Sequence, residues 1–141
     1  MTTFNSAYAG EKEEQVRKAI QRVVKYDLLS GSVDSVVLPQ QDCVMNILLF
    51  NIICNTKEDM TNNLKTLTSW LKIGGYLVFL IALDMSFYRV GQLKFSTLTG
   101  NAKFAKESVT RAGFVIEKGQ VLPISVENEI ADDKNFLFVV A

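Results

Sequence analysis

An α/β fold built on a central sheet is predicted by three features of the sequence. Tyr76 to Leu83 holds eight residues without a charge, rich in branched and aromatic side chains, as a strand covered on both faces requires. Asp42 to Phe50 is a second apolar run and reads as a buried parallel strand. Between them Met60, Leu64, Leu67 and Leu71 recur at spacings of four, three and four, the period of one helical face.

Taken in order, residues 1–10 show no period and are expected to form a ragged polar terminus. From Glu11 a helix is expected, with Val16, Ala19, Ile20, Val23 and Val24 on one face and the pairs Glu13/Arg17 and Glu14/Lys18 on the other. It runs into a short strand at Val23 to Leu28, before the turn residues Ser30-Gly31-Ser32. Residues 29–41 read as a loop leading into the strand at Asp42. Asn55 and Glu58 have the spacing of a capping box for the next helix. Gly74-Gly75 ends that helix, because glycine takes the left-handed C-cap conformation without steric cost. Another helix is expected over Asn101 to Ala112, with Phe104, Ala105, Ser108 and Ala112 inward and Gly113 as its cap. A strand starts at Phe114 to Ile116, bends at Lys118-Gly119 and continues from Val121 to Ser125. Phe136 to Val140 is a final buried strand.

The 141 residues are enough for one domain with a core. Fifteen basic and fifteen acidic residues cancel, and no basic stripe of the kind that grips nucleic acid is present. The apolar runs are too short to span a bilayer, and the opening MTTFNSAYAGEKEE lacks the pattern of a signal peptide. Cys43 and Cys54, within apolar runs, read as reduced core residues, so a cytoplasmic protein is expected. There is no histidine, which removes imidazole bases and Ser-His or Cys-His pairs, and no carboxylate cluster stands in for a zinc site. Methyl transfer from a sulfonium needs none of these, since it depends on proximity, alignment and exclusion of water.

After Leu83 the composition changes abruptly, with Asp84, Ser86, Phe87, Tyr88 and Arg89 in close succession. Ligands of open α/β sheets bind beyond the carboxyl ends of the parallel strands, so Asp84 to Tyr88 is the expected site. By itself Asp84 reads equally as a ligand group or as a solvated loop carboxylate, and Asp27 as a turn residue.

The ordered series Leu71-Lys72-Ile73-Gly74-Gly75, Ala82-Leu83-Asp84-Met85-Ser86-Phe87-Tyr88, then Gly91, Lys94, Phe95 and Ser96 resembles the nicotinamide, phenylethanolamine and indolethylamine N-methyltransferase family. The similarity runs from about Glu11 to Ala141 and implies a single domain over residues 1–141. It implies the carboxyl-terminal half of a Rossmann-like, class I S-adenosylmethionine-dependent methyltransferase. The sheet would hold strands three to seven of seven, the last antiparallel. The first two strands, the glycine-rich cofactor loop and the ribose-binding acid have no counterpart, and no G-x-G occurs in the sequence.

The resemblance also implies site residues. Asp27 and Leu28 match the adenine contacts, with Tyr26 where the family has a small residue, and Ile47 stands where a threonine lies beside the cofactor. Asp84 matches a glutamate that holds a substrate amine, and Tyr88 a tyrosine lining the substrate site; these two are assigned to the reacting centre. Thr97 replaces a serine that touches a carboxamide. Asn51 and Ile81 replace acids, Met85 replaces a serine, and Asp132 or Asp133 aligns with a second amine-holding acid. The pattern suits an aliphatic amine better than nicotinamide. No metal site is implied.

The implied function is S-adenosylmethionine-dependent N-methylation of a small amine or N-heterocycle, by a chain expected to be inactive alone. The alternative is a non-catalytic remnant that binds a protein partner through its open sheet edge; a product without function is the third possibility. The family strand order leaves a gap between Val23–Leu28 and Asp42–Phe50, so self-association through Val44 to Phe50 is expected.

Overall fold

The computed structural model describes residues 6–27, 32–33, 38–124 and 129–141, in two compact units, Met1–Val37 and Leu38–Ala141. In the first unit, helix α1 (Ser6–Ala19) starts ahead of the expected Glu11. Its pairs Arg17–Glu13 at 2.7 Å and Lys18–Glu14 at 2.8 Å form as the spacing predicts, between exposed side chains. The expected packing face does not become a core: Val16, Ile20 and Val23 are 60%, 54% and 87% exposed. Periodicity determines which side chains share a face, and not whether anything covers it. The strand expected over Val23–Leu28 is reduced to β1 (Tyr26–Asp27), which pairs antiparallel with β2 (Ser32–Val33). Leu28 lies outside the described residues.

The second unit runs β3 (Gln41–Ile47), α2 (Phe50–Ile53), α3 (Lys57–Ser69), β4 (Leu71–Leu83), β5 (Phe87–Val90), β6 (Leu93–Ser96), α4 (Ala102–Arg111), β7 (Lys118–Pro123) and β8 (Asn135–Val140). Its main sheet has the order β3-β4-β8-β7. β3 and β4 are parallel, whereas β8 is antiparallel to both of its neighbours. The strand expected to begin at Phe114 begins instead at Lys118 and ends at Pro123; Ser125 lies outside the described residues.

The capping box of α3 sits one residue later than expected. The Thr56 hydroxyl accepts from the Asp59 amide at 3.0 Å, and the Asp59 carboxylate accepts from the Thr56 amide at 2.8 Å. α3 ends at Ser69, ahead of the two glycines, which belong to β4 instead. Gly74 has φ +80°, and the register jumps from Gln41↔Leu71 to Cys43↔Tyr76. A Cβ on Gly75 would lie 3.0 Å from the backbone oxygens of Asp42 and Lys72, so this irregularity requires glycine. Regular pairing of β4 starts at Tyr76, where the apolar run begins.

One face of the sheet is buried. Leu77, Phe79, Leu137 and Val139 are 0% exposed, and the Phe50 ring of α2 meets Phe79 at 5.9 Å. Met60, Leu64, Leu67 and Leu71 are buried as the stripe predicts, with Leu71 contributed by β4 rather than by the helix. α4 adds Ala105, Ser108 and Val109; its Phe104 is only half-buried. The opposite face is more open, and the expectation of a β3 buried on both faces is overturned: Met45 is 66% and Ile47 46% exposed. β3 is one of two edge strands of this sheet among the described residues, and its Met45 and Ile47 point to the more open face. Cys43 is exposed for the same reason and is not a core residue. Cys54 is buried, which pushes its thiol pKa up and leaves it unreactive. Among the described residues, no helix is long and apolar enough to cross a membrane.

One buried position conflicts with its surroundings. Asn46 faces the core beside Phe79 at 6% exposure, and its Oδ1 has no hydrogen-bond partner among the described residues. An unsatisfied buried acceptor costs about 1–3 kcal/mol, so Asn46→Val should stabilise the protein by roughly 1 kcal/mol. Leu64→Ala, in contrast, should destabilise it by about 2–5 kcal/mol. Urea unfolding of the two variants beside the wild type checks both signs.

Candidate functional site

The two parallel strands end in the same unusual way. Leu48 follows β3 with φ 56° and Asp84 follows β4 with φ 55°, the described non-glycine residues in the left-handed region. Such backbone costs on the order of 1–2 kcal/mol per residue, less for aspartate, and persists where surrounding contacts over-determine it. Both strained residues lie at the carboxyl ends of parallel strands, where α/β sheets bind ligands.

The contacts that hold this end are a relay along β4. Leu80 accepts from the Leu48 amide at 2.9 Å, the last bond that continues the β3 side of the ladder. Two residues on, the Asn51 side chain takes over: its Nδ2 donates to the Ala82 oxygen at 2.9 Å and its Oδ1 accepts from the Ala82 amide at 3.0 Å. A carboxamide is the side chain that offers a donor and an acceptor as a peptide unit does. Two further on, the Asp84 amide donates to Gly100 at 2.9 Å. Asn51 is 1% exposed, and its own backbone oxygen accepts from Leu98 at 2.9 Å. The carbonyl of buried Met85 then accepts from the hydroxyls of Thr97 at 2.7 Å and Thr99 at 3.0 Å.

Beyond Ser86 the chain forms a hairpin of β5 and β6, joined by Gly91-Gln92 with Gly91 at φ 59°. Tyr88 stacks on its cross-strand partner Phe95 at 5.2 Å. The Ile130–Asp132 segment is laid along β5. Arg89 donates to the Ile130 oxygen at 2.7 Å, and Tyr88 bridges Ala131. The Asp132 carboxylate accepts from the Ser86 amide at 2.8 Å, the Phe87 amide at 3.2 Å and the Ser86 hydroxyl. The Ser86 hydroxyl bond, helped by the two amides, holds the Asp132 carboxyl below the usual range. A hollow of about 800 Å³ opens beside the hairpin, lined by Phe87, Arg89 and the Glu129–Asp132 segment.

The fold thus brings Asp84, Tyr88, Thr97, Asn51 and Ile81 to one end of β4, in different capacities. Asp84 is exposed, and its carboxylate makes no hydrogen bond or ion pair among the described residues. Tyr88 is half-buried with one ring face covered by Phe95. Asn51 and Thr97 commit their polar groups to backbone, and Ile81 is 2% exposed within the core. Ile47 is 46% exposed at the end of β3. Asp27 belongs to the other unit, where it is exposed. The hairpin went unanticipated, although Gly91-Gln92 between two short apolar-containing runs is its signal.

Replacing Asn51 by alanine should cost about 1–3 kcal/mol for each Ala82 group left unpaired; urea unfolding reads this out. The lowered carboxyl of Asp132 has its own signature. Its contribution is complete above the ordinary aspartate value of 3.8 and disappears only as pH falls through its lower folded value. The Ser86 and Phe87 amide resonances should therefore stay constant down to about pH 4 and move only below it.

Comparison with known proteins bears on the fold and the family. The family model described as NNMT/PNMT/TEMT matches residues 3–141. Human nicotinamide N-methyltransferase is 34% identical over 138 residues, covering 97% of this chain and 52% of the relative. Rabbit (Oryctolagus cuniculus) indolethylamine N-methyltransferase is 36% identical with the same coverage. Human phenylethanolamine N-methyltransferase is 22% identical, covering 93% and 48%. The chain therefore spans about half the length of these relatives. Among solved structures, an S-adenosylmethionine-dependent methyltransferase from Clostridium acetobutylicum superposes with a TM-score of 0.59 at 12% identity, over 98% of this chain and 71% of the other. TehB from Haemophilus influenzae gives 0.59 at 13% identity, over 97% and 46%. These likenesses establish an α/β methyltransferase fold, and the sequence matches establish that the chain belongs to the NNMT/PNMT/TEMT family.

Proposed function

We propose that this chain is the carboxyl-terminal, acceptor-binding half of an S-adenosylmethionine-dependent N-methyltransferase whose substrate is a small protonatable amine. The observation that carries this reading is the Asp84 carboxylate, exposed and unpartnered among the described residues at the end of β4. An ammonium group near it gains a charge-assisted hydrogen bond. Tyr88, backed by Phe95, offers an aromatic wall for an aryl or alkyl tail. A neutral carboxamide is served less well, because the Thr97 hydroxyl proton is already given to Met85. Two relatives, named for indolethylamine and phenylethanolamine, support the amine class. We number the described sheet as strands four, five, seven and six of the family sheet, and place the protein in the cytosol, where its unpaired cysteines stay reduced.

Cofactor capture is not expected of this chain alone, because no G-x-G loop of the kind that wraps such a cofactor occurs in its sequence. Calorimetry should give a Kd for S-adenosylmethionine weaker than about 100 µM, roughly −5.5 kcal/mol. Fused to the amino-terminal half of an indolethylamine relative, the chain should turn over an arylalkyl amine in preference to nicotinamide. Asp84→Ala should then cost about 2–5 kcal/mol in kcat/KM for the amine, once the completed site excludes water. Equal use of both substrates, indifferent to that substitution, would refute the amine reading.

A second reading is supported by one observation. β3 is an edge strand among the described residues and presents Met45 and Ile47 outward. Exposed apolar edges template association, and such an edge suits a protein partner or a second copy. Sedimentation should show self-association that Met45→Lys relieves; a stable monomer at high concentration argues against it.

A further inference from the structure

We infer that Asp132 is a positioning residue of the amine site, setting the place of Tyr88 through Ser86 and Phe87 and leaving the substrate's charge to Asp84. The inference rests on the amine-methyltransferase reading and adds a division of labour between two carboxylates that are otherwise alike. Asp132 accepts hydrogen bonds from the Ser86 amide at 2.8 Å, the Phe87 amide at 3.2 Å and the Ser86 hydroxyl. A carboxylate has about four acceptor sites, so most of its capacity is already committed to backbone and hydroxyl. Asp84 has no such commitment.

The geometry also says what Asp132 positions. Its bonds fall on the two residues immediately ahead of Tyr88, and the same segment continues through the Tyr88–Ala131 bridge and the Arg89 bond to Ile130 at 2.7 Å. On its other side, among the described residues, Tyr88 is held by the hairpin and the Phe95 ring. Without the Asp132 carboxylate, Ser86 and Phe87 would lose their bonds to this segment, while the Tyr88–Ala131 bridge, the Arg89–Ile130 bond and the Thr97 contacts to Met85 and Ser86 would remain. The lowered pKa of Asp132 agrees with a carboxylate kept ionised by these donors.

The test uses the full chain in two arms. Without ligand, amide exchange in Asp132→Ala should speed up at Ser86 and Phe87 by about 10-fold or more, the loss of a hydrogen bond to a charged group, while Phe79 and Val139 are unchanged. The Tyr88 ring signals should shift, which a brace that only stabilises the fold would not cause. Asp132→Asn, which keeps one acceptor oxygen, should restore most of the protection and the ring signals. With ligand, titrations of phenethylamine and its uncharged analogue phenethyl alcohol are followed at the Tyr88 ring. Asp132→Asn should keep the preference for the amine, and Asp84→Ala should lose it. Unchanged exchange in Asp132→Ala overturns the inference, as does loss of the amine preference in Asp132→Asn but not in Asp84→Ala. If the wild type binds neither probe, the amine reading fails, and the positioning role stands or falls on the exchange arm and the ring signals alone. Should Asp132→Ala fail to fold, Ser86→Ala replaces it in the exchange arm and should release the Phe87 amide; an unchanged Phe87 overturns the inference.

Discussion

The carboxyl end of β4 has to leave the sheet while its backbone is still surrounded by core, and the Asn51–Ala82 pair is what allows it. β3 stops pairing at Ile47, but β4 continues to Leu83 against β8. The β3-side groups of Ala82 would then be buried without partners, a penalty of about 1–3 kcal/mol each. The carboxamide of Asn51 imitates one more residue of β3 and closes the ladder. An acid at this position could accept from the Ala82 amide but, ionised, could not donate to its carbonyl.

The rest of the rim depends on that closure. Ala82 in place puts Asp84 where its amide meets Gly100, and the left-handed turn at Asp84 then directs Met85 back to the core, where it is 7% exposed. The carbonyl of Met85 collects Thr97 and Thr99, which ties the far end of the hairpin to the strand that starts it. Asp132 supplies acceptors to the Ser86 and Phe87 amides, as the Asn51 oxygen does to the Ala82 amide. The backbone of the rim is thus tied at several points, and Asp84 projects from it with a carboxylate that no described residue engages. Fixing the frame and leaving one charge free is how a site can hold a cation without rearranging to meet it.

No comparable closure is found at β3. Its inner neighbour is β4, but Cys43, Met45 and Ile47 point to a face that is open, and Asn46 carries an unpartnered acceptor into the core. The chain spans about half the length of its relatives.

The sequence by itself determined the strand from Tyr76, the leucine stripe of α3 and the final strand, because each depends on local periodicity or on an uninterrupted apolar run. It also carried the family, through an ordered series of residues rather than any single motif. It misjudged the capping box by one residue, since Asn55 and Thr56 are both suitable caps and only packing chooses between them. It assigned Gly74-Gly75 to a helix end, when a close approach to the Asp42 oxygen makes them part of a bulged strand. Whether Val16, Met45 or Cys43 is covered depends on neighbours distant in the chain, and no local pattern contains that information. The roles of Asn51, Thr97 and Asp132 were decided by tertiary structure alone. A polar side chain near a site reads the same in sequence whether it faces a ligand or a peptide group, and only the fold shows which unpaired donor or acceptor lies within about 3 Å of it.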